Sequence, residues 1–285
     1  MSDLPLIMTS GGADVSTQMV MLLGLVALCV GLLAGLVGMT LGIVTLPVML
    51  AVGINPLVAA GTNLGLTVLG SIAALWAHAR ARRVVMRVAL LFGLPAIAGA
   101  FIGGRFAHLA PVWLLFFLVA FFLGWSALNI LLAALKGRRR IVKYPKDGPQ
   151  QPEASPFRFA SRESAVQMSI GGVIGVVGGA AGAVLGTVRM PALINVLKMD
   201  PAHAIGTNIM IGILAGLFGF AGHFINGNID WMLLGIMGGA SMTGNFIGSL
   251  FTGRLNASQL RVVIGIVLLV MTPVMVFNGV SELVN

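Results

Sequence analysis

The sequence predicts an all-α integral membrane protein made of two inverted-topology repeats of about five spans each, with broken glycine-rich helices. Three observations carry this expectation. The composition is apolar with few charges, a glycine-dense stretch occurs twice, and equivalent loops of the two copies differ in basic charge.

Apolar residues make up 58% of the 285 and charged residues 9%, with a mean hydropathy of +1.02. Soluble domains carry about 25% charged residues, so this chain belongs in a bilayer. Runs such as Trp113–Leu135 and Trp231–Phe251 exceed the roughly 20 residues a helix needs to cross a hydrocarbon core of about 30 Å. Alternation over segments of about ten residues, the mark of barrel strands, is missing, so the spans are helices. The net charge of +9 does not point to nucleic acid, because sixteen of the seventeen basic residues lie in loops or at span ends, as the positive-inside rule arranges them. The single Cys29 rules out a disulfide framework or a thiol pair. The first 17 residues hold Asp3 and Asp14 but no Lys or Arg, so no basic leader of a cleavable signal peptide is expected there.

The duplication organises the chain. GLLAGLVGMTLGIVTLPVML from Gly31 is matched by GVVGGAAGAVLGTVRMPALI from Gly175. Gly61-Thr62-Asn63 falls on Gly206-Thr207-Asn208, His78 on His223, and GAFIG (99–103) on GNFIG (244–248). One unit of about 145 residues is thus used twice. The domain reading is a first transmembrane repeat over 1–135, a basic cytoplasmic linker over 136–163 and a second repeat over 164–285.

Taken in order, 18–55 carries no charge and would measure about 57 Å as one helix. Two crossings need about 60 Å plus a turn, so one or both are short or broken. Glycines 31 to 42 and Pro47 mark the break, since glycine weakens a helix and proline removes one of its hydrogen bonds. Leu57–Trp76 is the next span and ends at a basic loop with Arg80, Arg82, Arg83 and Arg87. Val88–Phe106 and Val112–Leu135 follow, and then the linker with Arg138, Arg139, Arg140, Lys143 and Lys146.

Loop charge sets the parity of each half. An even number of crossings leaves equivalent loops on one side, and an odd number inverts them. The loop after His78 has four arginines through Arg87, while its counterpart FINGNID has no basic residue. The turn at Ile54-Asn55 is uncharged and its counterpart carries Lys198; Arg105 stands alone where the other half has Arg254 and Arg261. Each pair favours opposite sides, hence ten spans with both termini outside, beside Asp3, Asp14 and Glu282. Eight spans with re-entrant glycine segments is the alternative. Either way, a multi-pass protein of the cell (plasma) membrane is expected.

All eight carboxylates fall in tails or loops. Intramembrane Asp or Glu is the usual ligand of a transported metal and the usual proton relay, so their absence argues against a metal exporter or carboxylate-driven antiporter. No catalytic set, metal site or cofactor motif is visible. Arg189 is the opposite case. It sits roughly 15 Å of helix from the turn at Lys198, where a charge costs at least about 2.5 kcal/mol and needs a partner. Either broken-helix carbonyls hold it, or it holds a bound anion. Its counterpart is Thr45.

Thr62, Asn63, Thr207 and Asn208 lie about two turns into spans that begin after Pro56 and Pro201. They either bond a neighbouring helix or give neutral hydrogen bonds to a small anion, with Gly42 and Gly186 allowing close backbone approach. His78 and His223 fall at span ends, where capping or solvation competes with a gating or proton-coupling role. The partners expected are a small anionic substrate and the lipid bilayer, with a homodimer left open and nucleic acid excluded.

The two glycine segments ending in a proline, each followed by a Gly-Thr-Asn span, together with Gly227-Asn228-Ile229-Asp230-Trp231, resemble the sulfite exporter TauE/SafE family over about residues 20–275. The Arg189-Met190-Pro191 step resembles a version of that family's second motif. The resemblance implies a secondary transporter, usually an exporter, of sulfite, sulfoacetate or related organosulfonates. The glycine runs depart from the family's pattern at Gly38-Met39-Thr40-Leu41-Gly42 and Gly182-Ala183-Val184-Leu185-Gly186, and the first half has Arg82 to Arg87 in place of GNIDW.

Overall fold

The computed structural model of the chain describes residues 6–8, 14–37, 42–80, 82–135, 162–183, 185–191, 193, 197, 199, 201–250 and 257–284. Outside one antiparallel ladder of β1 (Leu6–Met8) with β2 (Asp14–Ser16), these residues are helical or connect helices. The linker through 161 and the loop charges Lys198 and Arg254 lie outside the described residues.

The first half contains α1 (Thr17–Val37), α2 (Gly42–Ala51), α3 (Pro56–Arg80), α4 (Met86–Phe106) and α5 (Val112–Leu135). The second contains α6 (Arg162–Ala181), α7 (Gly186–Pro191), α8 (Pro201–Ile225), α9 (Trp231–Leu250) and α10 (Ala257–Val284). Helix α6 thus takes up the last two residues assigned to the linker. Among the described residues, five segments are long and apolar enough to cross a bilayer: Thr17–Leu36, Met86–Leu109, Val112–Leu132, His203–Ile225 and Ile264–Val284. Gly42–Ala51, Pro56–Ile72 and Met168–Ala181 are shorter apolar helices.

Local chemistry explains the ends at the glycine segments. Gly182 has φ 70°, the Ala183 N–H donates to Gly178 O at 2.9 Å and the Gly182 N–H to Gly179 O at 3.4 Å. This left-handed glycine closure satisfies the last carbonyls of α6 and stops it. In the first half α1 ends at Val37 and α2 begins at Gly42, with Pro47 inside the short helix.

Packing joins one half to the other. Helices α1 and α9 run in the same direction, with Leu28 against Gly244 and Leu32 against Gly248, and α4 and α6 do likewise, with Gly99 against Gly172 and Gly103 against Val176. Helices α3 and α8 cross antiparallel, Gly61 meeting His223 and Gly65 meeting Phe220. Small residues at these seams let backbones come into contact, which is how helices associate where lipid is as apolar as leucine. The largest core cluster draws on Leu23, Leu46, Met49, Leu123, Leu233 and Leu268. A smaller one holds Ala89, Phe92, Ala96 and Ile211. Phe121, Trp125, Phe246, Val270 and Phe277 are exposed, as residues facing lipid are.

Candidate functional site

Each residue of the two Gly-Thr-Asn steps has a separate task. At Gly61 a Cβ would collide with the Asn228 carbonyl oxygen, and at Gly206 with that of Arg83. Glycine therefore admits the loop that precedes a helix of the other half. The threonine receives that helix: Thr62 Oγ1 accepts from the Asp230 N–H at 3.0 Å, and Thr207 Oγ1 from the Val85 N–H at 3.0 Å. Asp230 and Val85 immediately precede α9 and α4, so each threonine satisfies a backbone donor that a helix start leaves open. Asp230 also caps α9 directly, its Oδ1 accepting from the Leu233 N–H at 3.0 Å. The carboxylate that sequence reasoning left in a loop is buried.

The asparagine ties the step to the short helix. Asn63 Nδ2 donates to Gly42 O at 2.9 Å and to Gly182 O at 2.9 Å, bridging the start of α2 and the end of α6. With both amide hydrogens used, Asn63 Oδ1 accepts from the Thr45 hydroxyl, which also lies 3.0 Å from Gly42 O. The second half repeats this pattern. Asn208 Nδ2 donates to Gly186 O at 3.2 Å, and Asn208 Oδ1 accepts from Arg189 Nε–H at 3.1 Å. Thr45 and Arg189 thus fill one role in the two halves, a hydroxyl in one and a guanidinium in the other.

Arg189 is 1% exposed, and its Nη2 is buried with no hydrogen-bond partner among the described residues. A buried N–H left unmatched costs about 1–3 kcal/mol, more when the group is charged, so the geometry has room in its chemistry for an acceptor. The described residues bring Arg189, Asn208 and Gly186 together in one cluster, and Thr45, Asn63 and Gly42 in another. Thr62 and Thr207 are held in the caps beside them.

His223 stands in the last turn of α8, at the end of the span as expected, but it is fully buried with its Nε2 2.9 Å from Gly179 O, so it is packed in the bundle and not solvated. The His78 side chain is outside the described residues. Sequence reasoning missed a set of polar side chains around a small cavity beside Thr45: Thr67, Ser71, Ser241 and Asn245. The signal was available, because Asn63, Thr67 and Ser71 recur every four residues on one face of α3, and Ser241 and Asn245 do so on α9.

Residues 23–275 match the model of the family described as Sulfite exporter TauE/SafE. The chain is 24% identical over 237 residues to the Probable membrane transporter protein YunE of Bacillus subtilis (strain 168), covering 80% of this chain and 83% of that protein. It is 28% identical over 266 residues to a Probable membrane transporter protein of Xylella fastidiosa (strain 9a5c), covering 92% and 95%. No solved structure matches the chain. With the duplicated glycine segments and both Gly-Thr-Asn steps inside the matched region, this multi-pass membrane protein belongs to the sulfite exporter TauE/SafE family.

Proposed function

We propose that the chain is a secondary transporter that binds a small sulfur-containing or organic anion, such as sulfite, sulfoacetate or another organosulfonate, and exports it by alternating access. Arg189 supplies the charge, Asn208 orients the guanidinium, and Asn63 and Thr45 hold α2, the short helix of the first half. The observation that carries this reading is the buried Arg189 Nη2, without a partner among the described residues, on the short helix α7 that opens at Gly186. An anionic oxygen is the natural acceptor for such a donor. Membership of a family described as sulfite exporters narrows the anion class.

The same reading takes the halves as inverted repeats of five crossings each. Its support is that the Asn228 loop packs at the start of α3 and the Arg83 loop at the start of α8, while α3 and α8 run antiparallel. Equivalent loops then lie at opposite ends of the bundle, which an odd number of crossings requires. Rocking of one half against the other about the α3–α8 crossing would expose the site to each side in turn.

Counterflow in proteoliposomes tests the proposal. Vesicles loaded with unlabelled sulfite, or with one of several sulfonates, should accumulate the labelled anion transiently when the wild-type protein is present. An anion channel would dissipate the label without accumulation. Arg189→Ala should lose counterflow while eluting as a monodisperse protein, and unchanged counterflow would remove arginine from the mechanism.

A further inference from the structure

We infer that the cavity beside Thr45 is a binding site for a monovalent cation, Na⁺, and that this ion is the coupling partner of the transported anion. The cavity lies among α1, α2, α3 and α9 and is lined by Thr45, Thr67, Ser71, Ser241 and Asn245. Thr45, Thr67, Ser71 and Asn245 are each less than one-tenth exposed. Its volume of about 20 Å³ suits a water-sized guest.

The direction of the hydrogen bonds selects the sign of the guest. Thr45 donates its proton to Asn63 Oδ1. Thr67 donates to Asn63 O at 2.8 Å, Ser71 to Thr67 O at 2.6 Å, and Asn245 Nδ2 to Gly70 O at 2.6 Å. The hydroxyl protons of Thr45, Thr67 and Ser71 and one of the two Asn245 amide hydrogens are therefore used within the protein. What these three hydroxyls have left to offer is oxygen lone pairs, the ligands of hard cations. The positive end of α2 opens at Gly42 and favours an anion, but among the described lining residues a guest anion would find only the Ser241 hydroxyl and the second Asn245 amide hydrogen uncommitted. No carboxylate lines the site among the described residues, which suits a singly charged ion held by neutral oxygens near a short helix, and not a divalent metal.

Position strengthens the inference. Thr45 stands in the first half where Arg189 stands in the second, each donating to the asparagine of its Gly-Thr-Asn step. A bound Na⁺ beside Thr45 would give the first half the positive charge that the guanidinium gives the second. The coupling role rests on the transporter reading above, whereas binding of the ion does not.

Thermal unfolding of the purified full chain in detergent, at constant ionic strength in choline, Na⁺, Li⁺ or K⁺ chloride, tests binding without any anion substrate. A ligand that binds only the folded state raises the midpoint with concentration. Na⁺ should give a saturable rise of a few degrees that K⁺ and choline do not give. Thr67→Val and Ser71→Ala should each weaken it at least tenfold in apparent affinity while leaving the midpoint in choline close to that of the wild type. Equal midpoints in all salts, as expected of a cavity that holds only water, would overturn the site, and so would a Na⁺ effect unchanged in both variants. If Na⁺ binds but an inward or outward Na⁺ gradient leaves anion flux in proteoliposomes unaltered, the coupling role fails and the site stands.

Discussion

At the scale of single residues, the two Gly-Thr-Asn steps divide labour between a close approach, a cap and a tie. Thr62→Val or Thr207→Val would leave a backbone N–H at a helix start without its acceptor, a loss of about 1–3 kcal/mol. Thermal unfolding in detergent should show a lowered midpoint for each, with Ser at either position largely retaining stability. Asp230→Ala removes the side-chain cap of α9 and should cost about 1 kcal/mol, whereas Asp230→Asn, which keeps an acceptor oxygen, should cost less. The triplets were legible in the sequence because they occur twice. Their separate roles were not, since the partners Asp230 and Val85 are 168 and 122 residues away. Arg189 was legible as a charge without an acidic partner. That its Nε is held by Asn208 while Nη2 has no partner among the described residues required the positions of both helices.

At the scale of elements, glycine seams decide which helices meet. A Cβ on Gly248 would strike the Leu32 carbonyl oxygen of α1, while one on Gly239 of the same helix α9 meets nothing within 4 Å. Gly248→Ala should therefore reduce folded yield and the unfolding midpoint, and Gly239→Ala should leave both unchanged or slightly raised, because alanine favours helix. Of the expected spans, Val112–Leu135 coincides with α5, while Leu57–Trp76 lies within α3, whose apolar part Pro56–Ile72 is one of the shorter helices. Composition did not give the bounds of α7, whose described part runs from Gly186 to Pro191. Nor could an apolar run declare its neighbours. Hydropathy is the same whether α1 packs on α9 or on α4, and only the register of small residues tells them apart.

At the scale of the whole molecule, the pairings α1–α9 and α4–α6 make each half the packing surface of the other. Neither half should fold alone, and expression of 1–135 by itself should give no monodisperse protein. The duplication and the loop arginines are the sequence's grounds for two units of opposite orientation, because charge bias is legible in a sequence where contacts are not. Single cysteines at Arg82 and at Gly227, in a Cys29→Ser background, should be labelled from opposite sides of the membrane by an impermeant thiol reagent. Labelling of both from the same side would restore the eight-span alternative.

The account turns on Arg189 as the seat of the anion, and equilibrium binding reads that directly. Purified wild-type protein should bind labelled sulfite, or a sulfonate that competes with it, saturably. Arg189→Ala should lose that binding at least tenfold, and Arg189→Lys should keep part of it, since lysine restores the charge without the planar fork. Binding by Arg189→Ala equal to that of the wild type would contradict the account.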